Sequence, residues 1–233
     1  MKNLLLPLLL FSFALPTAAQ EAPDGFVAGK DYTEIPRPVK TADPTKVEVV
    51  EVFWYGCIHC YRLEPALESW AARQPDDVHF LRLPAIWAKP MELHAAMYYT
   101  NQVLGLHQQM HMPIFAAMHE RENPLKSEKA ILKFVATQGV EDTEKYARTL
   151  SSFGVSSQVL QAKSKMGAYR VSGTPALVIN GKYQLTPGQA GGPQRMFAVA
   201  NALIARERKQ LAAPGPTPEP DPTPAPPAPA PSS

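Results

Sequence analysis

Residues 47–55 are apolar at seven of nine positions and lead through Gly56 into the first of only two cysteines in the chain. A strand apolar at nearly every residue is one covered on both faces. Beyond residue 58, Leu63, Leu67 and Trp70 fall on one helical face. Pro65 is expected to kink that helix. Residues 78–83 read as a second strand. Strand, helix and strand in this order make a right-handed parallel crossover. The pair Cys57-Ile58-His59-Cys60 therefore sits where a covered strand passes into a helix.

Two thiols at that junction form a redox motif. The loop they close is too short for a disulfide there to constrain the unfolded chain much, which argues against a structural staple. Structural zinc takes four ligands, and two cysteines do not supply them. A helix starting just after the strand puts Cys57 at or beside the N-cap, where free backbone N–H groups and the helix dipole favour an anion. His59 adds a donor, or a positive charge when protonated. Both effects lower a thiol pKa. Cys57 is then the exposed attacking and leaving sulfur, and Cys60, one turn in, its buried partner.

The ends of the chain suggest an exported protein. Residues 1–19 read as a signal peptide. Lys2 precedes an apolar stretch over 4–15, and Thr17-Ala18-Ala19 supplies small residues at a cleavage site before Gln20. That stretch is too short to span a bilayer. Exported proteins live where disulfides persist. Residues 212–233 hold ten of the 25 prolines and read as a disordered tail with polyproline II bias. A net charge of +2 predicts no nucleic-acid partner.

Between these ends lies one domain with an embedded lobe. Helices are expected over 91–104, 107–120, 127–138, 142–151 and 156–168, with breaks at Gly105, Asn123-Pro124, Gly139 and Gly154. The sheet resumes over 176–179 and 183–185 across Asn180-Gly181, a strong hairpin signal. A last helix follows from 192 or 193 to about Lys209. The fold class is α/β, a thioredoxin-like fold interrupted by an all-helical insertion. Its first part covers 20–89, the insertion 90–168, and its second part 169–211.

These features together resemble the DsbA-type thiol:disulfide oxidoreductases of the bacterial periplasm. The likeness rests on Glu51 through Cys60 with the following helix, on the helical insertion, on Ser172-Gly173-Thr174-Pro175, and on Asn180 through Leu185. It covers about residues 25–208. Where many members carry proline between the thiols, this chain has Ile58, a position that tunes their potential. The resemblance implies a cis bond at Thr174-Pro175, in a loop beside Cys57 that offers substrate a backbone edge. It implies a buried acid at Glu51 near Cys60, with Arg82 as basic partner and Glu64 as a second acid near the site. Glu51 is otherwise a solvated edge-strand glutamate like Glu48, and Glu64 a helix-surface charge. The implied activity is oxidation of reduced, unfolded exported proteins. The redox-active Cys57–Cys60 disulfide serves without a cofactor, and a DsbB-type quinone-linked membrane protein reoxidises it. A reductase or isomerase of the same fold is the alternative, although an isomerase would carry a dimerisation domain for which residues 20–45 are too short. A periplasmic metal-binding or chaperone protein is the third reading. It would use Met91, Met97, Met110, Met112 and Met118 with His94, His107, His111 and His119, of which His107 and His111 are spaced as ligands on one helix face.

Overall fold

The computed structural model describes residues 25–212, so the expected signal peptide and all but the first residue of the expected tail lie outside it. Five strands, β1 (Thr33–Glu34), β2 (Val47–Phe53), β3 (Val78–Pro84), β4 (Ala176–Ile179) and β5 (Tyr183–Leu185), form one mixed sheet in the order β1-β5-β4-β2-β3. The apolar run at 47–53 explains the order. All seven residues of β2 are buried, and it lies between β3, parallel, and β4, antiparallel. A strand so placed has no solvated side. Glu48, taken from the sequence as solvated, is buried. It accepts hydrogen bonds from the Ala42 N–H (3.0 Å), Lys165 Nζ (2.9 Å) and the Tyr169 hydroxyl (3.3 Å).

Helix α1 (Ile58–Ala71) connects β2 to β3 and continues through Pro65. The insertion between β3 and β4 consists of α2 (Lys89–Val103), α3 (His107–His119), α4 (Glu128–Thr137), α5 (Thr143–Leu150) and α6 (Phe153–Tyr169). Ser127, Asp142 and Ser152 cap the last three, each side chain accepting an N–H from the first turn. The Ser152 cap moves the expected break: α6 begins at Phe153, so Gly154 lies in its first turn and interrupts nothing.

Asn180 (φ 49°) and Gly181 (φ 64°) both take the left-handed conformation that a tight hairpin turn between β4 and β5 needs. A Cβ on Gly181 would overlap the carbonyl of Val39, so the turn excludes any larger residue there. A short helix, α7 (Pro187–Ala190), lies outside the expected elements; Thr186 caps it, Pro187 opens it and Gly191 closes it in the left-handed conformation. Helix α8 (Pro193–Ala212) runs three residues past Lys209, through Gln210, Leu211 and Ala212, all good helix formers.

Three apolar clusters hold these layers together. One packs α1 and α8 on a sheet face, and another packs α2 and α6 on the opposite face. The third joins Phe53, Tyr55 and Cys60 to Met97, Met110, Ile114 and Phe115 of the insertion. Cys60 is thus buried where the sheet domain meets the insertion. Of the five methionines in the metal-binding reading, Met91, Met97 and Met110 are core residues, as is Met166 of α6.

Candidate active site

Helix α1 starts immediately after Cys57, whose own backbone is extended (φ −92°, ψ 112°), as an N-cap requires. Gly56 makes this start possible. A Cβ there would overlap the Trp54 indole, which folds across it, donates to His94 Nδ1 (3.0 Å) and stacks on that ring. Gly56→Ala is therefore expected to displace Trp54 and to lower the melting temperature, which thermal denaturation followed by indole fluorescence will report.

The Cys57 sulfur is half-buried, and four donors serve its thiolate. The Cys60 thiol contributes most, followed by the Thr174 side chain and the N–H groups of Cys60 and His59. Against the cost of burial they lower the Cys57 pKa to about 5. When protonated, the same sulfur donates to the Thr174 carbonyl at 3.3 Å. The Thr174-Pro175 bond is cis. His59 acts here through its main chain. Its imidazole is exposed, and the donor it offers Cys57 is its backbone N–H and not the ring donor expected from the sequence. Ile58 is half-buried between the thiols.

Cys60 lies at the other extreme. It is fully buried, and burial, the Cys57 sulfur and the Glu51 charge all push its pKa up. Two thiols one turn apart are thereby driven in opposite directions. Titration of the reduced protein, followed by thiolate ultraviolet absorbance, is expected to show one midpoint near 5 and no second ionisation below pH 9.

Glu51 and Glu64, each carrying an alternative exposed reading from the sequence, are both buried under this site. Arg82 gathers them. Its Nε donates to Glu51 Oε2 at 3.0 Å, and its Nη2 donates to Glu64 and, at 2.5 Å, to Glu68 Oε2. Register explains the first contact, since Glu51 and Arg82 are direct partners across β2 and β3. Helical spacing explains the others: Glu64 and Glu68 are one turn apart on α1 and share a face. Burial, reinforced by the Glu64 charge and opposed by Arg82, raises the Glu51 pKa well above the carboxylate range. Burial acts on Glu64 too, but His111 and Arg82 outweigh it and hold that carboxyl low. The paired carboxyls are thus pushed apart, one towards the acid and one towards the anion.

The four histidines of the insertion are dispersed. His94 holds Trp54 and the Pro124 carbonyl, and His119 meets the Tyr55 carbonyl at 2.8 Å. His107 and His111 stack at 4.6 Å between ring centroids, with His111 against Glu64 and the Tyr55 hydroxyl. Glu68, Tyr55 and His111 were missed as members of the site. The spacing of Glu64 and Glu68 was the only signal that pointed to one of them.

A cleft of about 710 Å³ opens beside Cys57, lined by His59, Leu63, Ala66, Thr174, Pro175 and Pro187 among others. A thiol pair at a helix N-terminus facing a cis-proline loop, on a sheet interrupted by five helices, matches known proteins along most of its length. The DSBA-like thioredoxin domain profile matches residues 81–204. The thiol:disulfide interchange protein DsbA of Pseudomonas aeruginosa is 40% identical over 208 residues, covering 89% of this chain and 98% of that protein. The chain belongs to the DsbA family. DsbA of Azotobacter vinelandii is 40% identical over 197 residues, covering 84% of this chain and 92% of its own. The crystal structure of Pseudomonas aeruginosa DsbA superposes with a TM-score of 0.79 at 40% identity, covering 82% of this chain and 99% of that one. This DsbA-family protein is a thiol:disulfide oxidoreductase with the interrupted thioredoxin-like fold expected from its sequence.

Proposed function

We propose that this DsbA-family protein is a periplasmic dithiol oxidase that donates its Cys57–Cys60 disulfide to reduced exported polypeptides. The observation that carries the reading is the opposed acidity of the two thiols. A substrate thiolate attacks Cys57 Sγ, the Cys57–Cys60 bond breaks, and Cys60 leaves as a thiolate that takes a proton. A second substrate thiolate then attacks the substrate sulfur of the mixed disulfide. The substrate disulfide forms and Cys57 departs as a thiolate, already stable at pH 7 because its pKa is about 5. A leaving group that stable drives electrons from substrate to enzyme, which separates an oxidase from a reductase.

The other residues take roles around this step. Glu51 supplies the Cys60 proton and takes it back on reoxidation. Arg82 and Glu64 set the Glu51 carboxyl. Thr174 and Pro175 offer substrate a backbone edge, with the adjoining apolar cleft receiving a neighbouring side chain. Ile58 tunes the potential. Residues 1–19 direct export, and 90–168 form the insertion domain. A quinone-linked DsbB-type membrane protein restores the disulfide. Among the described residues no helix is long and apolar enough to cross a membrane.

Equilibration with a glutathione redox buffer tests the direction. An oxidase holds its cysteines reduced in buffers where an ordinary structural disulfide persists, and an equilibrium constant in the reductase range would reject the proposal. Cys57→Ser is expected to abolish oxidation of a reduced peptide. Glu51→Gln is expected to slow resolution of a mixed disulfide at Cys57 and also to stabilise the fold at neutral pH. Because the folded Glu51 pKa is raised, its protonated form contributes stability that is complete below the unfolded value of about 4.5 and declines as pH rises. Gln keeps the neutral form at every pH. Denaturant melts from pH 5 to 9 should show the variant pulling ahead of the parent.

A further inference from the structure

The acids beneath Cys60 do not end at Arg82. Buried His111, from insertion helix α3, places Nε2 3.3 Å from Glu64 Oε1 and Nδ1 2.9 Å from the Tyr55 hydroxyl. It also lines a cleft of about 490 Å³ between α1 and α3, together with Glu64, Glu68, His107 and Met112. We propose that His111 relays protons between the buried Glu51–Glu64 pair and this cleft, connecting Cys60 to solvent on the side of the protein away from the substrate cleft. The proposal rests on the assignment of Glu51 as proton partner of Cys60 and adds the exit from it.

Four observations support this route. The substrate cleft and the His111 cleft share none of their lining residues, so protons and polypeptide need not compete for one opening. Glu51 and Glu64 sit on one guanidinium, and Glu51 Oε1, Glu64 Oε2 and His111 Nε2 are all buried without a hydrogen-bond partner. Carboxyls so coupled hold a proton jointly. The Tyr55 hydroxyl either donates to Nδ1 or accepts from it, so the neutral tautomers and the cation of His111 all keep that contact. A relay needs such indifference to its own state, which a histidine serving only as packing does not.

The titratable groups that meet His111 are the Tyr55 hydroxyl after β2, Glu64 on α1 and His107 one turn before it on α3; Arg82 of β3 and Glu68 of α1 lie one contact further out, joined to Glu64 through the guanidinium, and Tyr98 of α2 packs on His107. Burial, then the charges of His111 and Arg82, lower the His107 pKa to about 4. His107 is therefore neutral at pH 7 and adds no charge beside His111. During reoxidation the Cys60 S–H proton goes to Glu51. The Cys60 thiolate attacks Cys57 Sγ of the mixed disulfide, the Cys57–Cys60 bond forms, and the partner leaves as a thiolate. The proton then passes from Glu51 to Glu64, from Glu64 to His111 Nε2, and from the imidazolium to the cleft. In the oxidising half-cycle it travels inward, and no proton or electron is left over.

The experiment follows resolution of a mixed disulfide at Cys57 by stopped flow from pH 5 to 9 in the full protein, His111→Gln, His111→Ala and Glu51→Gln. His111→Gln keeps a hydrogen-bonding side chain but cannot relay. It is expected to resolve about a hundredfold more slowly at pH 7, the low end for positioned proton transfer, with the Cys57 midpoint unmoved. Imidazole buffer, admitted by the cleft, should restore the rate of His111→Ala in proportion to its basic fraction. If Glu51→Gln is slow while His111→Gln follows the parent at every pH, the relay is overturned and the Glu51 assignment stands. If Glu51→Gln itself matches the parent, both fall. A slow His111→Gln with a shifted Cys57 midpoint, and no imidazole rescue in His111→Ala, assigns His111 to structure alone and also overturns the relay.

Discussion

The stability advantage of the reduced protein over the oxidised protein is expected to grow by about 2 kcal/mol between pH 5 and pH 7. Cys57 has a pKa of about 5 in the folded reduced state, against ~8.5 for an unperturbed thiol. A depressed pKa contributes stability that is fully present above the unfolded value and is lost as pH falls through the folded one. Between these limits the reduced fold gains up to about 1.4 kcal/mol per pH unit, and discounting for the half-exposed sulfur brings two units to about 2 kcal/mol. The raised pKa of Cys60 adds no slope here, because that thiol is protonated in both folded and unfolded chains below pH 8. The oxidised protein has no thiolate and no matching slope. At ~2–4 °C per kcal/mol for a domain of this size, the gap in melting temperature should widen by about 4–8 °C. At pH 7 the reduced form is expected to melt higher, the reverse of an ordinary disulfide protein. Calorimetry with and without reductant at pH 5, 6 and 7 checks both statements. A gap that does not move with pH would mean that the helix terminus does not hold a thiolate, and the oxidase reading would lose its physical basis.

Arg82→Met should destabilise the fold by about 3–5 kcal/mol at pH 7, the usual consequence of removing one partner from a buried ion cluster. Glu51 and Glu64 would remain buried around a thioether, with Glu68 one turn further out. The pH dependence identifies the cause. The Glu64 carboxyl is held low in the parent, so its contribution is present above about 4.5 and disappears as pH falls. The deficit of the variant should therefore shrink as acid neutralises the orphaned carboxylates. Adding Glu51→Gln to Arg82→Met should recover part of the loss at pH 7, because the amide is neutral at every pH and removes the cost that burial imposes on an ionisable carboxyl. Urea denaturation of the parent and both variants at pH 4.5 and pH 7 will show this. A deficit equal at both pH values would point to lost packing of the Arg82 side chain, whose guanidinium lies over the Phe80 ring, and not to the orphaned carboxylates.

Much of this architecture could be read from local pattern. The apolar run at 47–53, the helical face of Leu63, Leu67 and Trp70, and Asn180-Gly181 are signals carried by neighbouring residues, and each became the element it implied. The position of Cys57 at a helix N-cap was equally local, since the strand, the glycine and the thiol are consecutive. One departure from expectation was local, and another came from neighbours in space. Gly154 had the composition of a break, but Ser152 captured the Val155 N–H and started α6 early. Glu48 had the character of a solvated residue, but the strand carrying it is central, with Lys165 and Tyr169 reaching it from α6.

By itself the sequence determined the thiol pair, its place on a helix terminus and the order of the layers around it, because all three follow from the spacing of adjacent residues. Tertiary structure decided which groups surround the pair. Thr174 lies 117 residues from Cys57 and still brings its carbonyl to 3.3 Å. Arg82 meets Glu51 because two strands align in parallel, and Glu64 because a helix returns across them. His111 arrives from another lobe altogether. The acidity of a buried group depends on the charges and donors within a few ångströms of it, and at such distances the folded backbone, not the order of residues along it, chooses the company.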